Sequence, residues 1–480
     1  MLFSSVVFLL YFLPVVLVLY YSVGRRHIRA QNGLLLIASL IFYAWGEPKN
    51  VLLLAFSCLA NYLFGLAAGG ERFSGKMRRS FLIVSVIFNL GVLFCFKYLN
   101  FAVQTVNGLA GRTLLPETKL ALPLGISFFT FQAMSYVIDV YRGDAPVQKN
   151  FFDLALYICL FPQLVAGPSV RYNEIQQQLG SRQETLDRVC GGMCRFVQGL
   201  AKKLLLANSM GAIADTVFSL TRLWHTQYLV PAALAWVGAA AYMLQIYLDF
   251  SAYSDMAIGL GGMFGFSFCE NFNYPYIADS INEFWRRWHI SLTRWFREYL
   301  YFPLGGSRTR NADFMVRNLL IVWLCTGIWH GANWTFVLWG LWNFLFAVLE
   351  RVTGFDEWEG KGALWRHIYA LLVILIGWIL FRSDNLYCFF EYMANLFCLN
   401  GNGFFSAEAW MFLRENWLWF AGSLLACVPP ETRSTLAKQL RLKLPQALYP
   451  AAMLALLALL AVCIIYLVRS DYNPFIYFNF

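Results

Sequence analysis

The sequence predicts an all-α polytopic membrane protein with about 11 to 13 membrane-embedded segments. Three observations lead there. Of 480 residues, 59% are hydrophobic and 18% aromatic while only 13% are charged, against about a quarter charged in a soluble domain. Uncharged or nearly uncharged runs long enough to cross a bilayer recur along the whole chain. The basic residues sit mostly in short stretches between those runs, as in the cytoplasmic loops of membrane proteins.

The first charge is Arg25, so Met1 to Gly24 is long enough to span. Its charges follow the apolar stretch rather than precede it, and no small-residue cleavage site is evident, so a retained first span with its N-terminus outside is expected. Further runs occur around 31–46, 50–69, 80–97, 120–138, 152–168, 194–218, 228–249, 314–330, 333–350, 367–381, 411–428 and 447–468. Leu120–Ile138, with Pro123 and Gly125, and Phe151–Pro168 read as broken, re-entrant segments. Non-helical backbone at that depth is tolerated only inside protein or against an aqueous cavity. Arg25, Arg26 and Arg29 fill the first loop, Glu47 to Lys49 make a short balanced second, and Arg72, Lys76, Arg78 and Arg79 charge the third. The first and third loops are therefore expected in the cytoplasm, with the basic stretches 286–317 and 433–443. No internal repeat is evident.

The net charge of +10 does not point to nucleic acid, because the basic residues are not gathered on a soluble face. Eleven cysteines fall without a CxxC or a His-rich spacing, so neither a disulfide framework nor a metal site is expected. Cys190 and Cys194, four apart, make no recognisable site. GxSxG, HxxxH, HExxH and Walker-type patterns are absent, and Cys325 lies in an apolar helix without evident activation.

The chemistry is expected in the most unusual region, Tyr253 to Arg351, and the apolar sequence that opens it. Asp249 and Asp255 interrupt apolar sequence in LDFSAYSDMAIGLGGMFGF. Such carboxylates face an interior or a cavity, and the reading here is that they cap helices or pair with nearby arginines, with direct catalysis as the competing reading. In SINEFWRRWHISLTRWFREYLYFPLGG, helical spacing gathers Trp285, Trp288, His289, Leu292, Trp295, Phe296 and Tyr299 on one face. Glu283 can pair with Arg287 at i,i+4. The segment reads as an interfacial helix anchored by tryptophans, whose arginines could also attract an anionic ligand. Residues 318–349 carry no formal charge; as one helix they would run about 48 Å, longer than the hydrocarbon core. A break at Gly331-Ala332-Asn333 is predicted. His330 then sits at the break, flanked by Trp329 and Trp334. Burial favours a neutral imidazole that can act as general base; a buried histidine satisfied by a backbone carbonyl is the competing reading.

These stretches, with LPLGISFFTFQ, LYICLFPQLVAGPSVRY, GIWHGANWTFVLWGLWN and the ending PFIYFNF, resemble the membrane-bound O-acyltransferase (MBOAT) family in its bacterial alginate O-acetylation branch. The resemblance covers nearly the whole chain and implies one domain over 1–480, with N-terminal spans in 1–118, a catalytic core in 119–351 and C-terminal spans in 352–480. It implies tilted helices around a central tunnel, with His330 as the catalytic histidine and His289 as the family's second characteristic histidine. It further implies acetyl-coenzyme A as acyl donor and no permanently bound cofactor. An extracytoplasmic polysaccharide would be the acceptor, reached with the help of a periplasmic or surface hydrolase-like acetyltransferase partner. The setting would be the bacterial cytoplasmic (inner) membrane and its lipid. On this reading Trp285, Trp329 and Asn333 line the substrate path, the Asn333 amide stabilises an oxyanion, and Arg286 and Arg287 meet the donor's phosphates. Two other classes remain open from the residues alone. One is a transporter using Asp249, Asp255 and Glu270, and the other is a scaffold for a polysaccharide synthase.

Overall fold

The computed structural model describes residues 1–23, 27–221, 229–306, 312–355, 362–429, 449–470 and 472–476. Arg25, Arg26, Arg308, Arg310, the basic stretch 433–443 and the last four residues lie outside the described residues. Among the described residues there are helices and turns but no strand, so the protein is all-α and, by its apolar helices, polytopic.

In chain order the helices are α1 (Leu13–Val23), α2 (Ile28–Ala44), α3 (Asn50–Gly69), α4 (Gly75–Leu93), α5 (Leu99–Ala110), α6 (Ile126–Arg142), α7 (Phe151–Cys159), α8 (Phe161–Leu164), α9 (Tyr172–Gly180), α10 (Leu186–Ala201), α11 (Asn208–Thr221), α12 (Ala232–Met263), α13 (Ile281–Arg287), α14 (Ile290–Phe296), α15 (Ala312–His330), α16 (Trp334–Val352), α17 (Ala363–Arg382), α18 (Leu386–Leu396), α19 (Ala407–Ala426) and α20 (Tyr449–Arg469). Each apolar run read from the sequence falls on one or two of these. Six described helices are long and apolar enough to cross a membrane: Asn50–Gly69, Gly75–Ala110, Ala232–Met263, Trp334–Val352, Ala363–Arg382 and Pro450–Arg469. The first two runs form shorter apolar helices, Phe8–Ser22 and Ile28–Ala44. In Pro450–Arg469 only 6% of the apolar window is buried by protein, so lipid must solvate the rest.

The helices cluster into two compact units, one of residues 1–196 with 253–269, the other of 197–252 with 270–480. In the first unit, α3, α4 and α6 pack together. Asn61 and Asn89 exchange amide hydrogen bonds across α3 and α4, at 3.1 and 2.8 Å. Both side chains are almost wholly buried, and reciprocal bonding is what lets an amide persist in an apolar helix pair. The interruptions expected at 120–138 and 151–168 are present. α6 starts only after Gly125, which adopts φ 70°, and α7 stops at Leu160 before the four-residue α8. The intramembrane Asp255 is paired with Arg195 at 2.9 Å.

In the second unit, α15 and α16 form an antiparallel hairpin, α17 packs on α16, and α13 lies against both α16 and α17. Glu350, buried near the end of α16, accepts from the backbone N–H groups of Ile281 and Asn282 at 2.6 and 2.9 Å. These are orphan donors of the first turn of α13, so a carboxylate on a distant helix caps it. Asp249 on α12 makes a 2.7 Å ion pair with Lys203, and both are buried. Its second oxygen accepts from the Ile476 N–H at 3.0 Å. Both intramembrane aspartates thus pair with cations, though Asp249 takes a lysine rather than an arginine.

The single amphipathic helix read over 280–306 is not what forms. It breaks at His289, which adopts φ 44°, ψ 53°, dividing the segment into α13 and α14. Trp285, Trp288, Leu292 and Phe296 are buried in protein rather than anchored at a lipid interface. The periodicity was a core stripe, and a core stripe and an interfacial one have the same spacing.

Candidate active site

His330 ends α15, and the hairpin turn after it is Gly331-Ala332-Asn333, as the length of the uncharged run required. The Asn333 side chain caps α16 by accepting from the Thr335 N–H at 3.2 Å. Its amide donates to the Asp384 carbonyl at 2.6 Å. Asn333 therefore closes the turn. This capping use is a role that the oxyanion reading did not include. The two helices approach closely because Gly327 faces Gly340. Gly331 matters for the same reason, since a Cβ there would lie 2.1 Å from the Phe336 ring.

The hairpin buries His330 to 3% exposure. Three rings meet the imidazole edge to face: Trp329 at 4.9 Å, Trp339 at 5.0 Å and Phe381 at 5.2 Å between centroids. Trp334, the other flanking tryptophan, is exposed.

His289 precedes α14 and is 1% exposed. The Phe250 ring stands 4.7 Å from its imidazole and Trp329 6.2 Å away, so Trp329 contacts both histidines. Its left-handed backbone conformation is costly for a residue with a Cβ, and such outliers persist where surrounding structure holds them. The holding group is Asn271, wholly buried. Its Oδ1 lies 3.2 Å from His289 Nδ1 and accepts from the Ser291 N–H at 3.2 Å and the Ser291 hydroxyl at 2.9 Å. Its carbonyl accepts from Ile290 N–H at 2.9 Å. Burial pushes the His289 imidazole down to about 3, so it is neutral at physiological pH.

The two histidines line one cavity of about 70 Å³, with Trp285, Trp288, Leu292, Thr293, Phe296, Val322, Trp323 and Thr326. It has room for a few waters or a group of acetyl size. No formally charged side chain lines it. An imidazole in such a place can take a proton from a hydroxyl with little competition from water, and charge developing there feels a low dielectric.

The remaining residues singled out in the sequence distribute unevenly. Trp285 lines the cavity and donates its indole N–H to Asn343 Oδ1 at 3.1 Å. Arg287 makes the expected pair with Glu283, at 2.6 Å, and donates to the Asn273 carbonyl. Arg286 is exposed. Neither arginine lines the cavity. Among the described residues no cluster of His, Cys, Asp or Glu could hold a metal ion. Sequence reasoning missed Asn271, Trp323, Thr326 and Phe381 of α17. Thr326 stands one helical turn before His330 and was legible by spacing. Asn271, in the irregular stretch between α12 and α13, carried no periodic signal.

Helices of this kind, with a histidine pair at an aromatic cavity, suit a membrane-embedded transferase. Residues 145–382 match the model of MBOAT, the membrane-bound O-acyltransferase family. The chain is 45% identical over 390 residues to the probable alginate O-acetylase AlgI of Pseudomonas aeruginosa, covering 80% of this chain and 73% of that protein. It is 34% identical over 439 residues to the peptidoglycan O-acetyltransferase of Helicobacter pylori, covering 84% and 80%. With the teichoic acid D-alanyltransferase of Bacillus subtilis it shares 25% identity over 54% of this chain and 67% of that one. The chain belongs to the membrane-bound O-acyltransferase family and is a multi-pass membrane O-acyltransferase.

Proposed function

We propose that this enzyme takes an acetyl group from cytoplasmic acetyl-coenzyme A and delivers it for O-acetylation of an extracytoplasmic polysaccharide, of alginate or peptidoglycan type. A hydrolase-like periplasmic or surface acetyltransferase would complete the transfer, and the setting is the bacterial inner membrane. The observation that carries the chemistry is the pair His330 and His289 on one uncharged aromatic cavity of about 70 Å³. The acetyl choice is supported by the two relatives named for O-acetylation, which match more of this chain, at higher identity, than the D-alanyltransferase.

In the proposed step neutral His330 takes the proton of the acceptor hydroxyl as its oxygen attacks the thioester carbonyl. The new C–O bond forms, the tetrahedral intermediate collapses, the C–S bond breaks, and the imidazolium returns its proton to the leaving thiolate. Trp329, between the histidines, and Trp285, on the cavity wall, hold the acyl group; His289 meets the acceptor or donor side of the same centre. Arg286 and Arg287 meet the donor's phosphates outside the cavity, where guanidinium groups suit planar anion recognition.

Acetyl release from labelled acetyl-coenzyme A by purified protein in nanodiscs tests this, with and without polysaccharide acceptors and the periplasmic partner. Turnover should be lost in a folded His330→Ala variant. Unchanged turnover would remove His330 from the chemistry.

A further inference from the structure

We infer that Asn271 is a positioning residue for the reaction: its side-chain oxygen holds His289 as the Nδ1–H tautomer, so that Nε2 is the nitrogen bearing the lone pair. The inference rests on the histidine-pair reading above and extends it to a residue with no titratable group of its own.

The tautomer follows from the hydrogen-bond donors around Asn271. Histidine tautomers are normally assigned rather than seen, but here one partner has no choice. The Ser291 backbone N–H can only donate, and it meets the same Asn271 atom as His289 Nδ1. That atom must therefore be the carboxamide oxygen, because a flipped amide would face N–H with NH₂. An amide oxygen cannot donate, so the proton between it and His289 sits on Nδ1. Nε2, across the ring, is left as the acceptor, able to take a hydrogen bond from a hydroxyl or thiol.

The same residue sets the ring's direction. Asn271 accepts from the N–H groups of Ile290 and Ser291, the first turn of α14, through its carbonyl and its side chain. It thereby pins the chain on the far side of His289, whose φ of 44° turns the backbone between α13 and α14. A free imidazole would lose entropy on adopting this one rotamer and tautomer at the moment of reaction; here both are set in advance.

The test compares Asn271→Ala, Asn271→Asp and Ser291→Ala in the full-length enzyme in nanodiscs, with acetyl-coenzyme A turnover and ¹⁵N spectra of histidine-labelled protein. Asn271→Ala should lower kcat on the order of 100-fold while the donor KM changes less than about twofold. Asn271→Asp, which keeps an acceptor for Nδ1–H, should recover most of it. Ser291→Ala removes one bond to Asn271 but not the one to His289, and should stay near native. The native spectrum should contain an Nδ1–H, bare-Nε2 histidine that disappears in His289→Gln and is lost or mixed in Asn271→Ala. A native His289 protonated on Nε2, or an Asn271→Ala enzyme with native kcat, would overturn the inference. If Asn271→Ala does not fold, the native spectrum and Asn271→Asp still decide it. The tautomer is read without turnover, so it stands or falls separately from His330→Ala.

Discussion

Gly340 on α16 sits against the carbonyl oxygen of Trp323 on α15, so closely that a Cβ at Gly340 would lie 2.4 Å from it. Gly327 repeats the relationship toward the Phe336 carbonyl, also at 2.4 Å. No backbone oxygen yields that much space, so the helices of the hairpin must part if either glycine gains a side chain. Because His330 ends α15, Gly340→Ala should displace it and lower turnover at least about 10-fold, with a stability loss of about 1–3 kcal/mol. Ala332→Gly, in the turn itself, should do far less. Turnover and thermal unfolding of the two variants side by side check this.

Glu350 replaces the missing partners of two α13 N–H groups from a different helix. Glu350→Ala would leave buried donors unsatisfied, at a cost of about 1–3 kcal/mol each. Glu350→Gln retains an acceptor and should cost less. Since α13 carries Trp285 and leads into His289, activity should fall in the same order, Ala below Gln below native. Equal stability of all three would show that the cap contributes nothing.

Neither Lys203 nor Asp249 lines the histidine cavity, so their buried ion pair is expected to act on stability and not on the transfer. Asp249→Ala should destabilise by about 3–5 kcal/mol, because it leaves the buried Lys203 ammonium with the neutral oxygens of Asn208 and Pro474 but no counter-charge. The double variant Lys203→Met/Asp249→Leu should recover most of that loss and keep turnover. A stable double variant without turnover would instead place the pair in the reaction.

His289 makes stability depend on pH. Its folded value of about 3 lies below the ordinary 6.5, so between these values the unfolded chain binds a proton that the folded one does not. Stability from this group is complete above about pH 6.5 and declines as pH falls toward 3. At about 1.4 kcal/mol per pH unit, the loss by pH 5 is about 2 kcal/mol. His289→Gln should lose less on acidification from pH 7.5 to 5 than the native protein, in unfolding measured at both pH values.

Arg286 is exposed, whereas Arg287 is held by Glu283. Arg286→Ala should raise the KM for acetyl-coenzyme A roughly 3- to 10-fold, leave kcat in place, and reduce the sensitivity of KM to added salt. A KM that does not move would place the donor's phosphates elsewhere.

Much of this protein was legible in one dimension. Too few charges to cover a water-facing surface, spread between apolar runs, determined a lipid-embedded all-α chain. An uncharged stretch longer than the bilayer, with Gly331-Ala332-Asn333 inside it, determined a hairpin and put His330 at its turn. Those conclusions follow from local composition and from the fixed rise of a helix, neither of which needs a partner. The i,i+4 pair of Glu283 and Arg287 was readable for the same reason.

What the tertiary structure decided depends on residues far apart in sequence. The stripe that includes Trp285 and Trp288 has the periodicity of any apolar face; only packing against Trp339 of α16 and Trp378 of α17 made it core and not membrane interface. Nothing local foretells the break at His289, because it is held by Asn271, eighteen positions away. Nor could spacing place Glu350 on α13, or choose Lys203 over an arginine for Asp249. Helical periodicity says which side of an element is buried, but not against what. The partner of a buried polar group is settled only when the chain folds back and every such group must find one.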